Sequence, residues 1–308
     1  MTPHGILNVD KPEGITSFQV VARVRKLSAV KKVGHTGTLD PLATGVLLVC
    51  LGHATRVSEY LMELPKTYHG SVHLGVATDT FDATGATVSE GDAGAVNKAR
   101  LKAALETLER REEQTPPSYS AVKVSGTPAY RLARAGRPVS LHPRKVKIER
   151  IDLLSFEPPL VELEIRCGKG TYIRTLADDL GRLLGCGAHL AALRRTDVGP
   201  FHVDDAISLD RLETASKDGS WQELLLPLDY GLAHFPAVYL EMEAEKDVRH
   251  GCALEMESSP FQRLQDTQDG QLCRAYAEDG SLVGILRYDG ESHRWKPQKV
   301  FISSHPLA

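Results

Sequence analysis

An apolar run from Val46 to Leu51, closed by Gly45 before it and Gly52 after it, sets the first limit on how this chain can fold. Such a run between glycines predicts a buried strand. Directly ahead of it stands Gly34-His35-Thr36-Gly37-Thr38-Leu39-Asp40-Pro41-Leu42-Ala43-Thr44, a loop dense in glycine and threonine with one aspartate placed immediately before a proline. A carboxylate at a rigid turn beside the core can be desolvated and aimed, as a nucleophile or base requires. Asp-Pro and Gly-rich stretches are also ordinary turn chemistry, in which the aspartate bonds nearby backbone amides. Gly34 and Gly37 are not followed by Gly-Lys-Ser/Thr, which excludes a P-loop.

Around that strand, local patterns predict an α+β fold. His4 to Asp10 reads as an opening strand that stops at the turn Lys11-Pro12-Glu13-Gly14. Thr16 or Ser17 can cap a helix with Val20, Val21, Val24 and Leu27 at helical spacing. Ala54 to Leu64 and Val96 to Arg111 read as helices, and Thr67 to Val76 alternates as a half-buried strand. Val146 to Phe156, Leu160 to Cys167 and His189 to Val198 read as strands, with a helix predicted from Thr171 or Thr175 to Leu184 and closed by Gly185. Neighbouring strands mixed with helices predict a mixed, largely antiparallel sheet flanked by helices. Prolines cluster near Leu226-Pro227 and Phe235-Pro236, which sets domains at 1–230 and 231–308, the second a small β-rich unit.

The net charge of −3 hides an uneven distribution. Residues 120–200 carry 14 Lys/Arg against 8 Asp/Glu, a net +6, whereas residues 201–308 carry 10 against 19, a net −9. A basic middle points to a face for a polyanion, with solvated surface as the plain alternative. Five widely spaced cysteines include no Cys-x-x-Cys pair, and Cys186 with His189 is too little for a metal site. Reduced thiols, no membrane span and a cytoplasmic location are expected.

Several motifs, taken in order, resemble the bacterial TruB-type tRNA pseudouridine-55 synthase family. They are Asp10-Lys11-Pro12-x-Gly14 with Thr16-Ser17, Gly34-His35-Thr36-Gly37 through Asp40-Pro41-x-Ala43-x-Gly45, and Lys66-x-Tyr68. Thr78-Asp79-Thr80-x-Asp82 with Gly85, Pro116-Pro117-x-Tyr119-Ser120-Ala121, and Gly170-Thr171-Tyr172-Ile173-Arg174-x-Leu176 leading to Leu193-Arg194-Arg195 complete the set. The resemblance covers roughly residues 4 to 230. It implies the pseudouridine synthase fold with a C-terminal PUA-like RNA-binding domain. It also implies an isomerase that turns one uridine of the tRNA T-arm into pseudouridine without metal or cofactor.

By the same resemblance Asp40 is the catalytic carboxylate, and Arg174 is its cationic partner, expected to lower its pKa. Tyr172 lies against the target ring, Tyr68 stacks on the flipped uracil, and Leu193 completes the apolar wall. His35 fills the space that the base vacates, and Asp82 orders the loop or contacts the RNA. Phosphate contacts are expected from Lys123, Arg131, Arg134, Arg137, Arg144, Lys145, Lys147 and Arg195, with Lys11 and Arg56 near the site. The expected partner is the T-arm stem-loop, met by a monomer that uses no guide RNA. An RNA-binding or tRNA-folding protein with a vestigial loop is the alternative from another class.

Overall fold

The computed structural model of the chain describes residues 3–261, 264 and 266–301. Its centre is an eight-stranded sheet. Six strands run in the order Gly5–Lys11, Thr44–Leu51, Ala188–Val198, Lys66–Leu74, Leu160–Cys167 and Ile148–Glu157. Val33–His35 and Phe201–His202 add to Thr44–Leu51 and Ala188–Val198 respectively. Every pairing is antiparallel except that of Ala188–Val198 with Thr44–Leu51, so the sheet is mixed and largely antiparallel.

The helices are α1 (Ser17–Ser28), α2 (Ser58–Glu63), α3 (Lys98–Glu109), α4 (Ala129–Arg134), α5 (Ile173–Leu184), α6 (Leu209–Asp218) and α7 (Met242–Arg249). Thr16 is the cap of α1: its hydroxyl accepts from the Gln19 amide at 3.2 Å while Gln19 Oε1 accepts from the Thr16 amide at 2.8 Å. That reciprocal pair leaves Ser17 free for another task at the site. The helix expected over Ala54 to Leu64 is broken. A 3-10 turn, Gly52–Arg56, meets α2 at Val57, whose ψ of 0° is not helical.

Thr44–Leu51 is apolar throughout because both of its faces are buried. Leu47, Val49 and Leu51 enter a core with Val20, Val24 and Leu180 from α1 and α5, while Val46, Leu48 and Cys50 face the opposite core. That second core also takes Ile285 and Phe301 from the C-terminal part of the chain. Where the strand begins, Gly45 has φ +96°, and a Cβ there would stand 2.2 Å from the Arg195 carbonyl oxygen. Only glycine lets the two parallel strands approach this closely.

The C-terminal sheet runs Ala237–Tyr239, Leu272–Tyr276, Leu282–Asp289, Arg294–Val300 and Leu254–Glu255 around its own core, in which Trp295 stacks on Phe261 at 5.2 Å. Residues 302–308 of the segment expected as a second domain lie outside the described residues. Among the described residues, no helix is long and apolar enough to cross a membrane.

Candidate active site

The loop after Val33–His35 is fastened from three directions, and this places Asp40. Ser17 Oγ accepts from the Leu39 amide at 2.9 Å and donates to the Leu39 carbonyl at 3.1 Å, clamping the residue before the carboxylate. The Gly14 amide donates to the Pro41 carbonyl at 2.8 Å, and the Ala43 amide to that of Asp40 at 3.0 Å. Lys11, fully buried, lies beneath. Its Nζ donates to the carbonyls of Pro12, Ile15 and Pro41 at 2.8, 2.7 and 3.4 Å. Burial pulls the Lys11 ammonium down to about 8, and the nearby Asp40 charge opposes that fall. Lys11 is therefore a strut under the loop rather than a side chain turned to solvent.

α5 brings the cation. Arg174 is buried, and its guanidinium Nε lies 2.9 Å from Asp40 Oδ2, with Nη1 3.4 Å from Asp82 Oδ2. Nη1 also donates to the Thr80 carbonyl at 3.1 Å and Nη2 to that of Tyr119 at 3.1 Å. Asp82 Oδ1 in turn accepts from Thr80 Oγ1, the Thr84 amide and Thr84 Oγ1 at 2.7, 3.0 and 2.6 Å. The guanidinium fork thus has its donors matched to oxygens on several sides, which an ammonium could not reproduce.

The pairing was expected to lower the pKa of Asp40, but the net direction is upward. The carboxylate lies deep among protein atoms, and that desolvation outweighs the pull of Arg174, with the Asp82 charge adding to the rise. Of its side chain, 39% still meets solvent. The lift makes Asp40 a stronger base and nucleophile once ionised, and Arg174 keeps the ionised form within reach.

Other expected residues join this pair. Tyr68 is buried, its hydroxyl meets the Arg195 guanidinium, and burial pushes its pKa up, with Asp40 close enough to add to the rise. Burial also raises the Tyr172 phenol, with the Asp40 charge in the same direction, so the ring carries its proton at neutral pH. Leu193 sits over Gly70 beside Ile173. His35 accepts at Nδ1 from the Gly37 amide at 3.3 Å, and burial, reinforced by Arg195, holds its imidazole neutral.

Besides Lys11, two expected phosphate contacts have other employment. Arg195 is buried, donating from Nε to the Val46 carbonyl at 2.6 Å and from Nη2 to that of Gly37 at 3.1 Å. Arg56 donates to the Val300 carbonyl and lies over the Phe301 ring at 5.4 Å, so it ties the C-terminal sheet to the Gly52–Arg56 turn. The remaining seven basic residues, Lys123 to Lys147, are exposed, most of them on the arm that carries α4. Sequence reasoning missed Gln114, which lies at the root of that arm and bonds the backbone of Tyr172 at two points. Among the described residues, no group of three or more His, Cys, Asp or Glu side chains is arranged to hold a metal ion.

Residues 25–173 match the family described as TruB family pseudouridylate synthase (N terminal domain), and residues 174–233 match the tRNA pseudouridylate synthase B C-terminal domain. The tRNA pseudouridine synthase B of Dehalococcoides mccartyi is 40% identical over 303 residues, 98% of each chain. The chain belongs to the TruB family of pseudouridylate synthases. The tRNA pseudouridine synthase B of Pseudomonas aeruginosa is 46% identical over 268 residues, covering 85% of this chain and 88% of that relative.

Solved structures of related architecture span nearly the whole chain. A Cbf5-Nop10-Gar1 complex matches with a TM-score of 0.71 at 28% identity, over 97% of this chain and 84% of that one. An H/ACA RNP bound to a substrate RNA containing 2'-deoxyuridine matches with a TM-score of 0.70 at 26% identity, over 97% and 85%. The two TruB family matches meet between residues 173 and 174, at the first residues of α5. One sheet nevertheless spans both, because Ala188–Val198 lies between Thr44–Leu51 and Lys66–Leu74.

Proposed function

We propose that this chain isomerises the uridine at position 55, in the T-arm of tRNA, to pseudouridine, with Asp40 as the catalytic carboxylate. The reaction breaks an N-glycosidic bond and rejoins the same base through carbon, so it calls for no redox agent. It needs a nucleophile or base beside the nucleoside and a surface that holds the detached ring. The observation that carries this reading is the Asp40 carboxylate, 2.9 Å from the buried Arg174 guanidinium and within electrostatic reach of Tyr68 and Tyr172.

A base stacked in a T-loop has to swing out to meet that carboxylate, at a cost of a few kcal/mol on the order usual for base flipping. Stacking on an aromatic ring returns about 1–3 kcal/mol, and in this reading Tyr68 and Tyr172 provide the surface. His35, neutral and tied to Gly37, fills the gap left in the RNA. Lys123, Arg131, Arg134, Arg137, Arg144, Lys145 and Lys147 hold phosphates, which gives affinity that falls with salt.

Residues 1–230 form the catalytic domain and residues 231–308 a PUA-type RNA-binding module. Basic residues of that module are already answered by acids: Arg294 by Glu255, Lys296 by Asp289, and Lys299 by Glu59 at 2.6 Å. Its part in binding RNA is therefore local. The chain works as a monomer on naked tRNA, without a guide RNA, in the cytoplasm.

Incubation of purified protein with one tRNA transcript, followed by mapping of pseudouridine, tests the proposal. Wild type gives product at position 55 with no guide RNA added, and Asp40→Asn binds the transcript yet gives none. Product from Asp40→Asn near the wild-type level would remove the carboxylate from the mechanism. RNA refolding by both proteins without any product would favour a pure chaperone.

A further inference from the structure

α5 begins without help from its own N-cap residue. Tyr172 holds that position with extended backbone angles, and its side chain accepts no hydrogen bond from the first turn. A tyrosine has no short acceptor to offer there, so the backbone groups around it need partners from elsewhere. Gln114 supplies them. The Tyr172 amide donates to Gln114 Oε1 at 2.8 Å, and Gln114 Nε2 donates to the Tyr172 carbonyl at 3.1 Å. That same carbonyl accepts the Leu176 amide at 3.2 Å, as the helix requires. Which end of the carboxamide is oxygen follows directly, because one backbone partner can only donate and the other can only accept.

Both peptide planes flanking the Tyr172 Cα are thereby fixed, and with them the direction in which the phenol leaves the chain. Gln114 is only 3% exposed, so no water competes for the clamp. The segment following it does the same for the neighbouring cation: Arg174 Nη2 donates to the Tyr119 carbonyl at 3.1 Å. Gln114 also stands at the root of the basic arm. Glu113–Gln114 pairs antiparallel with Arg144–Lys145, the strands by which the chain leaves for the arm and returns from it. The Val146 amide closes this ribbon on the Glu112 carbonyl at 2.8 Å.

We propose that Gln114 is a positioning residue for the isomerisation, setting Tyr172 and the start of α5 against Asp40 from the root of the RNA-binding arm. It touches no substrate atom and acts through the Tyr172 backbone. The assignment rests on the isomerase reading given above. Its consequence is specific: loss of the clamp slows the reaction of bound RNA without loosening the RNA. A displacement of about 1 Å at a reacting group lowers rates by about 100-fold.

Single-turnover conversion and filter binding of one tRNA transcript are measured for wild type, Gln114→Met, Gln114→Glu and Asp40→Asn. Gln114→Met fills the same volume with no hydrogen bond. It lowers the single-turnover rate at least about tenfold, while affinity for the transcript stays within about twofold. Gln114→Glu still accepts from the Tyr172 amide but sets a carboxylate against the Tyr172 carbonyl. Protonation restores a donor, so its rate relative to wild type is higher near about pH 6 than near about pH 8.

A Gln114→Met rate within about twofold of wild type overturns the proposal, and so does a loss confined to affinity. If Gln114→Met does not fold, the pH dependence of Gln114→Glu decides: a ratio to wild type that is constant or falls as pH is lowered overturns the proposal, and one that climbs as pH is lowered supports it. Absence of product from wild type overturns the isomerase reading itself and this assignment with it. Product from wild type beside an unimpaired Gln114→Met sinks the assignment alone.

Discussion

Arg174 and Asp82 stand 3.4 Å apart with only 5% and 6% of their side chains exposed, so the cation that pairs with Asp40 is anchored from the interior. Asp40, on the same guanidinium, is 39% exposed. One acid holds the arginine, and the other is held by it. A substrate can therefore approach Asp40 without unseating the charge behind it.

Arg174→Lys keeps the charge and loses the geometry. A lysine cannot donate together to Asp40, Asp82, the Thr80 carbonyl and the Tyr119 carbonyl, as the guanidinium does. Single-turnover conversion falls about 100-fold, with transcript binding nearly unchanged. Arg174→Ala leaves two acids without their buried partner and lowers folding stability by about 3–5 kcal/mol, measured by urea denaturation. A lysine variant at the wild-type rate would mean that charge alone suffices.

The acid limb of the rate–pH profile lies above the ordinary aspartate range of about 4, because burial raises the Asp40 carboxyl and only its ionised form reacts. Asp82→Asn removes a like charge that adds to that rise, so the limb moves to lower pH. Stability carries the matching sign. A folded-state pKa above the unfolded one means that the folded protein binds more protons between the two values. The Asp40 contribution to stability accordingly falls as pH rises through that window, and Asp40→Asn abolishes this slope. An Asp82→Asn profile displaced to higher pH would contradict the electrostatic account.

Arg56→Ala separates attachment from chemistry. The variant loses a charged hydrogen bond to the Val300 carbonyl and a cation–π contact with Phe301, together about 2 kcal/mol. Thermal denaturation and limited proteolysis read the loosening of the C-terminal sheet, while conversion of saturating tRNA stays within about twofold. A rate collapse with intact folding would return Arg56 to the substrate-facing surface.

Periodicity and turn chemistry were legible where burial acts on a whole element. Gly45 to Gly52 marked its strand because both faces of Thr44–Leu51 lie in cores, and Gly185, with φ +77°, ends α5. α6 was missed although Ser208 caps it and Leu209, Leu212 and Ala215 are spaced for burial. Arg294–Val300 escaped notice because it is basic and contains a proline. Pro297 is tolerated beside a register shift, where Leu286 faces it after Ile285 has faced Lys299.

Site legibility followed a different rule. Asp40, Arg174 and Asp82 could be gathered because motif order carries chemical roles, but residue identity cannot reveal what a long cation touches. Lys11, Arg56 and Arg195 look alike in a sequence as positive charges. In the fold they support backbone carbonyls, since burial assigns each donor to whichever acceptor lacks a partner. The direction of the Asp40 shift was likewise a matter of depth, which no spacing encodes. Gln114 acts only through the main chain of a residue 58 positions away.

Because alternate residues of Thr44–Leu51 supply two cores, and Ile285 and Phe301 help close the second, the part of the chain that carries Asp40 cannot be cut loose cleanly. A fragment ending near residue 230 would strip Leu232, Ile285 and Phe301 from the core that holds Val46, Leu48 and Cys50, on the strand that directly follows Asp40. Such a fragment would bare the face that the C-terminal sheet covers and would stick to itself through it.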